Sequence, residues 1–227
     1  MAVSFERDGI VAGFRTGLPV AIGVGAYGIA FGVLARQSGL SVAEATLMSA
    51  TVVAGASQLV AVELWGTPLP VVTILVTTLV INLRYVLMGA SLRPWFKSLT
   101  PTQAYGSSFF ITDETWALSI ADLRSETGRG AFLLGAGLAL WSLWVLTTAI
   151  GAAAGSAVTD PERFGLDFVL TAIFVILAVG LWRGRNDAAP WAAAAAVAVA
   201  AEAAAPGQWY ILLGGLAGSL VAVVQRA

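Results

Sequence analysis

Long apolar runs alternate with short polar connections along the chain, and the runs have the length of membrane-crossing helices, about 20 residues each. Thr16 to Ala35 and Gly130 to Thr159 carry no charge, and Gln208 to Gln225 is uncharged but short for a span. Two weaker runs are Gly165 to Trp182 and the alanine-rich Ala188 to Ala205. Alanine inserts weakly, so the second of these is expected to pack among other helices, with Trp191 as an interfacial anchor. Pro206-Gly207 predicts a tight turn before the last helix. Val71 to Leu92 is long enough to span but holds Asn82 and Arg84. Two further segments are interrupted at their midpoints: Ser41 to Trp65 by Ala54-Gly55-Ala56-Ser57-Gln58, and Ala104 to Ala121 by Thr112-Asp113-Glu114-Thr115. Polar groups at such depth are costly unless they face protein or water.

The basic residues test how these segments thread the bilayer. If every segment spans once and the N-terminus with Arg7 and Arg15 is cytoplasmic, Arg93 and Lys97 fall outside, against the positive-inside rule. If the two interrupted segments leave on the side they entered, then Arg93, Lys97, Arg124, Arg129, Arg183, Arg185 and Arg226 all become cytoplasmic. The net-acidic stretch Asp160-Pro161-Glu162-Arg163 becomes external, and Arg36 remains external in either scheme. The pattern therefore predicts an all-α integral membrane protein with six spanning helices and two broken or re-entrant segments; eight full spans is the simpler alternative. Broken helices of this kind are tolerated where they line a cavity. Residues 1–227 read as a single transmembrane domain, with no soluble domain, extended linker or sequence-evident repeat. Met1 to Arg15 lacks the form of a signal or transit peptide, because Glu6 and Asp8 interrupt its basic character. Both termini are expected in the cytoplasm.

Composition agrees with the pattern. Of 227 residues, 58% are hydrophobic and 11% charged, against roughly 25% charged in soluble domains. A net charge of −1 removes any whole-chain argument for nucleic-acid binding. The chain has neither cysteine nor histidine. Disulfides, thiolate or imidazole metal sites, histidine relays and Ser-His triads are thereby excluded. No GK[ST] phosphate loop is present, so any ATP drive would need another subunit. No cofactor or metal is expected, and a transporter fits better than an enzyme.

The chemistry rests on few residues. Glycines spaced at four (Gly9, Gly13 and Gly17; Gly28 and Gly32; Gly151 and Gly155; Gly214 and Gly218) predict close helix packing. At Ala54 to Gln58, either the helix breaks or it continues, packed tightly. A break would start a half-helix near Ser57 with free N–H groups and a positive end suited to a carboxylate. Gly55 allows close backbone approach, and Gln58 supplies a donor and acceptors. Asn82 and Arg84 lie two apart, on different helix faces. Arg84 either snorkels toward the basic end or turns inward to pair with an acid or a carboxylate. Asp113 and Glu114 diverge by about 100° on a helix. They either pair with Arg84, bind a cation or amine, or hold a proton; the bland alternative is a loop interrupting an apolar patch. Glu44, Glu63 and Glu202 read as interfacial, and Trp141 and Trp144, deeper in a run, as core or as pocket lining.

Three of these motifs carry a family resemblance. Val53-Ala54-Gly55-Ala56-Ser57-Gln58, then Ile81-Asn82-Leu83-Arg84-Tyr85-Val86-Leu87-Met88-Gly89-Ala90-Ser91-Leu92, then Thr112-Asp113-Glu114-Thr115 resemble, in order and spacing, the AzlC family, large subunits of branched-chain amino-acid exporters. The similarity runs from about Gly13 through most of the chain. The resemblance implies efflux of leucine, isoleucine and valine, with methionine as a further substrate, across a bacterial cytoplasmic membrane, with a small AzlD-type membrane partner. Many relatives have histidine after the motif arginine; Tyr85 stands here, which puts a proton relay at that position in doubt.

Physical reading and resemblance converge on one expectation. A zwitterionic amino acid needs a group for its carboxylate, a group for its ammonium and an apolar pocket. The Ser57 region or Arg84 serves the first and Asp113 or Glu114 the second, with Asn82 and Gln58 orienting either. One of the two acids is expected to exchange a proton during the cycle. The competing classes are a channel for small neutral or ionic solutes and a structural subunit without transport of its own.

Overall fold

The computed structural model of the chain describes residues 3–125, 128–158, 184–204 and 209–225, with single positions 168, 172, 175, 179 and 182. The expected span Gly165 to Trp182 (those positions aside), the acidic stretch at 160–163 and the Pro206-Gly207 turn lie outside the described residues. Within them the structure is helical, apart from one β-bridge between Ser4 and Arg129. The helices are α1 (Arg7–Gln37), α2 (Val42–Val52), α3 (Gly55–Glu63), α4 (Val71–Phe96), α5 (Pro101–Ser108), α6 (Asp113–Arg124) and α7 (Phe132–Gly155). Then come α8 (Ala188–Ala204) and α9 (Trp209–Val224). By length and apolarity α1, α4 and α7 can cross a bilayer.

α1 and α7 form the spine. A Cβ on Gly13 would collide with the Phe132 carbonyl, and one on Gly135 with that of Ile10. Near the other end, Gly32 meets the Thr148 carbonyl and Gly151 that of Ile29. Residue numbers rise together along the contact, so the two helices run parallel, backbone against backbone, as small-xxx-small spacing permits. α8 and α9 pack antiparallel through the same device, with Gly214 and Gly218 against Ala194. α4 is peripheral and exposes Val72, Leu79 and Leu87, as a lipid-facing span should.

Both interrupted segments fold back. Ser41 starts α2 with a capping box closed by Glu44. The helix ends at Val53, held in the left-handed region (φ 52°), and α3 begins immediately after Ala54. Nine residues of unbroken helix would separate Ser49 and Gln58 by about 13.5 Å. Instead the Gln58 amide donates to Ser49 Oγ at 3.1 Å. Leu59 and Val62 of α3 then join Ala35, Leu40 and Ala45 in one buried cluster, which returns the chain to the Gln37 end of α1. The second segment mirrors this from the other end. Thr100 and Gln103 form its capping box, α5 stops at Ser108, and α6 restarts at Asp113. Asp113 lies beside Arg84 and Trp116 beside Ser91, so α6 runs parallel to α4 toward the Lys97 end. Ile120 and Leu123 pack there with Leu92, Phe96 and Leu133. Eight full spans therefore do not describe this fold. The half-helix begins at Gly55, two residues earlier than expected.

The result is an inverted repeat. A long helix (α1 or α4) is followed four residues after its end by a capping box, then by a hairpin that dips to mid-depth and returns. Cap-to-cap spacing is thirteen residues in the first hairpin and twelve in the second. The long helices run in opposite directions, since Val3 before α1 and Leu99 after α4 converge on Gly130.

Candidate functional site

The two hairpin tips face each other across a cavity of about 300 Å³, the size at which small-molecule sites begin. At the first tip the N-cap and first two helical positions are Ala54, Gly55 and Ala56; at the second they are Thr112, Asp113 and Glu114. At the third position each tip folds a hydroxyl back onto its own break. Ser57 Oγ donates to the Ala54 carbonyl at 3.0 Å, and Thr115 Oγ1 to the Phe110 carbonyl at 2.8 Å. The same local solution thus presents bare backbone on one side and two carboxylates on the other.

Arg84, near the middle of α4, reaches Asp113 with Nη1 2.9 Å from Oδ2. Both side chains stay between a quarter and a third exposed, at 27% and 29%. The guanidinium carbon sits 5.2 Å from the centre of the Tyr85 ring, within cation–π range. Arg84 Nε is buried and without a hydrogen-bond partner, and so is the Tyr27 hydroxyl across the cavity. Among the described residues Glu114, which also lines the cavity, has no hydrogen-bond or ion-pair partner. The charged side therefore holds one satisfied pair, one spare guanidinium donor and one free carboxylate. Facing it are apolar walls: Val24 of α1, Val53 and Ala56 of the first tip, and Leu140, Trp141 and Trp144 of α7.

The sequence-derived candidates separate into two groups. Gly55, Arg84, Asp113 and Glu114 line the cavity. Ser57, Gln58 and Asn82 do not. Gln58 is fully buried and closes the first hairpin: its carbonyl oxygen accepts from the Ala54 N–H at 3.2 Å and from Trp144 Nε1 at 3.3 Å, while its amide holds Ser49. Ser49 in turn bonds Thr148 at 2.9 Å, and Trp141 Nε1 donates to the Ala50 carbonyl at 3.0 Å. Asn82 Oδ1 is buried and unpartnered away from the wall. Tyr27 is a cavity residue that sequence reasoning passed over. Its signal is a phenol at the centre of an otherwise apolar run, and the lack of a Cβ on Gly55 makes room for its ring, which such a Cβ would approach to 2.8 Å. Trp141 and Trp144 fill both roles open to them, bonding the hairpin and lining the cavity.

Comparisons with known proteins cover the same stretch of chain. The family model described as "AzlC protein" matches residues 19–158, which include both hairpins and the cavity. The chain is 32% identical to an "Uncharacterized membrane protein" of Archaeoglobus fulgidus, over 79% of this chain and 77% of that one. It is 31% identical to "Inner membrane protein YgaZ" of Escherichia coli, over 72% and 69%. It is 29% identical to "Branched-chain amino acid transport protein AzlC" of Bacillus subtilis, over 78% and 71%. No solved structure matches.

Proposed function

The chain belongs to the AzlC family of membrane transport proteins, and from that premise we propose that it is a secondary exporter of leucine, isoleucine, valine and methionine. The observation that carries this reading is the two-sided cavity: a charged wall of Arg84, Asp113 and Glu114 opposite an apolar, aromatic one. Arg84, which lines the cavity, turns its guanidinium to the substrate carboxylate, in the planar geometry that suits that group. Glu114, free of a partner, takes the ammonium. The apolar side chain then turns toward the opposite wall, where its burial supplies about 0.8 kcal/mol per methylene. Asp113 holds Arg84 in place and, with Glu114, is where a proton enters the cycle. A carboxylate can exchange a proton there because substrate binding and release change the charges beside it.

The charge distribution supports cytoplasmic termini in a bacterial inner membrane. Arg7, Arg93, Lys97, Arg124 and Arg129 gather at one end of the bundle, with Asp8 and Asp122 among them, and Glu44 and Glu63 lie at the other with Arg36. A small AzlD-type subunit is the expected partner. The test is efflux of labelled leucine, valine and methionine from cells expressing the chain with and without such a partner. Saturable, gradient-dependent efflux is expected; unsaturable flux would mark a channel, and none at all a structural subunit. Asp113→Asn and Glu114→Gln, made separately, test the coupling: unchanged efflux with unchanged pH dependence in both removes the proton role.

A further inference from the structure

All charged groups of the cavity come from the second repeat; the first contributes only Gly23, Val24, Tyr27, Val53, Gly55 and Ala56. The cavity glycines are not equivalent. A Cβ on Gly55 would press on the Tyr27 ring at 2.8 Å, and one on Gly137 would collide with Phe110. Packing therefore requires glycine at both. Gly23 is different: a Cβ there has no heavy atom within 4 Å. It stands one helical turn before Tyr27, on the same face of α1, and is itself exposed, so it borders the open side of the cavity, where no protein atom fills the space in front of it.

We propose that Gly23 sets the length of side chain the cavity accepts. The substrate's polar end lies against Arg84 and Glu114, and its apolar end extends toward Gly23 and Val24. This inference rests on the functional reading above and adds the direction in which the substrate lies. A hydrophobic pocket discriminates one methylene by about 10- to 200-fold, so closing this space should move the size optimum measurably.

The experiment uses the full chain in cells with its partner and follows alanine, valine, leucine and phenylalanine efflux in wild type, Gly23→Ala and Gly23→Val. The expected result is a stepwise move of the optimum to smaller side chains. In Gly23→Val, leucine efflux falls about tenfold or more relative to alanine; Gly23→Ala gives a smaller shift in the same direction. A variant that transports with the wild-type leucine-to-alanine ratio overturns the proposal. So does a proportional loss of all four amino acids in Gly23→Ala, which is the variant that decides if Gly23→Val loses all transport. A wild type that moves none of the four defeats the transport reading itself, an outcome distinct from either.

Discussion

The first hairpin is fastened to α7 by neutral hydrogen bonds, and the second is fastened to α4 by an ion pair. Ser49, Ala50 and Gln58 bond Thr148, Trp141 and Trp144, and residues Ala56 to Val62 of α3 are all buried. The second hairpin holds α4 through Arg84 and Asp113 and through Trp116 Nε1 to Ser91 Oγ at 2.7 Å, while Tyr105 on its outer arm is 79% exposed. One backbone plan, used twice in opposite orientation, thus gives a fixed wall and a responsive one. Under the proposed function, neutral bonds inside a packed interface are not expected to change when the substrate arrives. An ion pair at the edge of the cavity is, because the ligand's own charges compete for both members.

Four measurements sharpen or break that contrast. The largest effect is all-or-none. The chain has no native cysteine, so single cysteines at Ser4 and Ser98 are expected to be labelled from one side of the membrane and those at Ser38 and Thr67 from the other. Labelling of Ser98 from the Ser38 side would remove the inverted arrangement. Next, Arg84→Gln should lower leucine efflux by about a hundredfold, the scale of truncating one partner of a hydrogen-bonded charge pair. Its unfolding midpoint in detergent should move less than that of a first-hairpin variant. Gln58→Leu is that variant: it leaves the Ala54 N–H and the Trp144 indole without their acceptor and should cost about 2–4 kcal/mol of stability, with substrate preference unchanged in the folded fraction. A Gln58→Leu protein of wild-type stability would contradict the fixed wall. The smallest effect is a symmetry test. Ser41→Ala and Thr100→Ala each delete a capping box and should each cost about 1 kcal/mol, so unequal thermal shifts would show that the hairpins differ at their outer ends as well.

Much of this was legible in the residues. Charge-free runs marked α1 and α7, and the polar interruptions marked both hairpins, because only a break beside a cavity makes such groups tolerable at that depth. Arginine at 84 and acids at 113 and 114 allow a pairing without dictating it, and the fold forms one pair, between Arg84 and Asp113, leaving Glu114 outside it. Gln58 faces inward rather than toward a ligand: a helix broken at Val53 and Ala54 exposes the Ala54 N–H, and the amide oxygen four residues on accepts from it. That demand is invisible until the break is placed. The repeat was unreadable because its halves share geometry rather than residues, with Gly55 and Ala56 standing where the other tip has Asp113 and Glu114. Tyr27 gave a weak signal because one phenol in a glycine-rich helix looks like interfacial decoration.

The seam between α1 and α7 has a bearing on how the protein answers bilayers of different thickness. Because carbonyl oxygens rest where side chains would otherwise stand at Gly13, Gly32, Gly135 and Gly151, neither helix can ratchet along the other without steric overlap. Tyr27 and Trp144 are thereby held at one relative height, their rings 5.0 Å apart. A thinner or thicker membrane is then expected to tilt the pair as one strut, keeping the wall that Tyr27 and Trp144 form together.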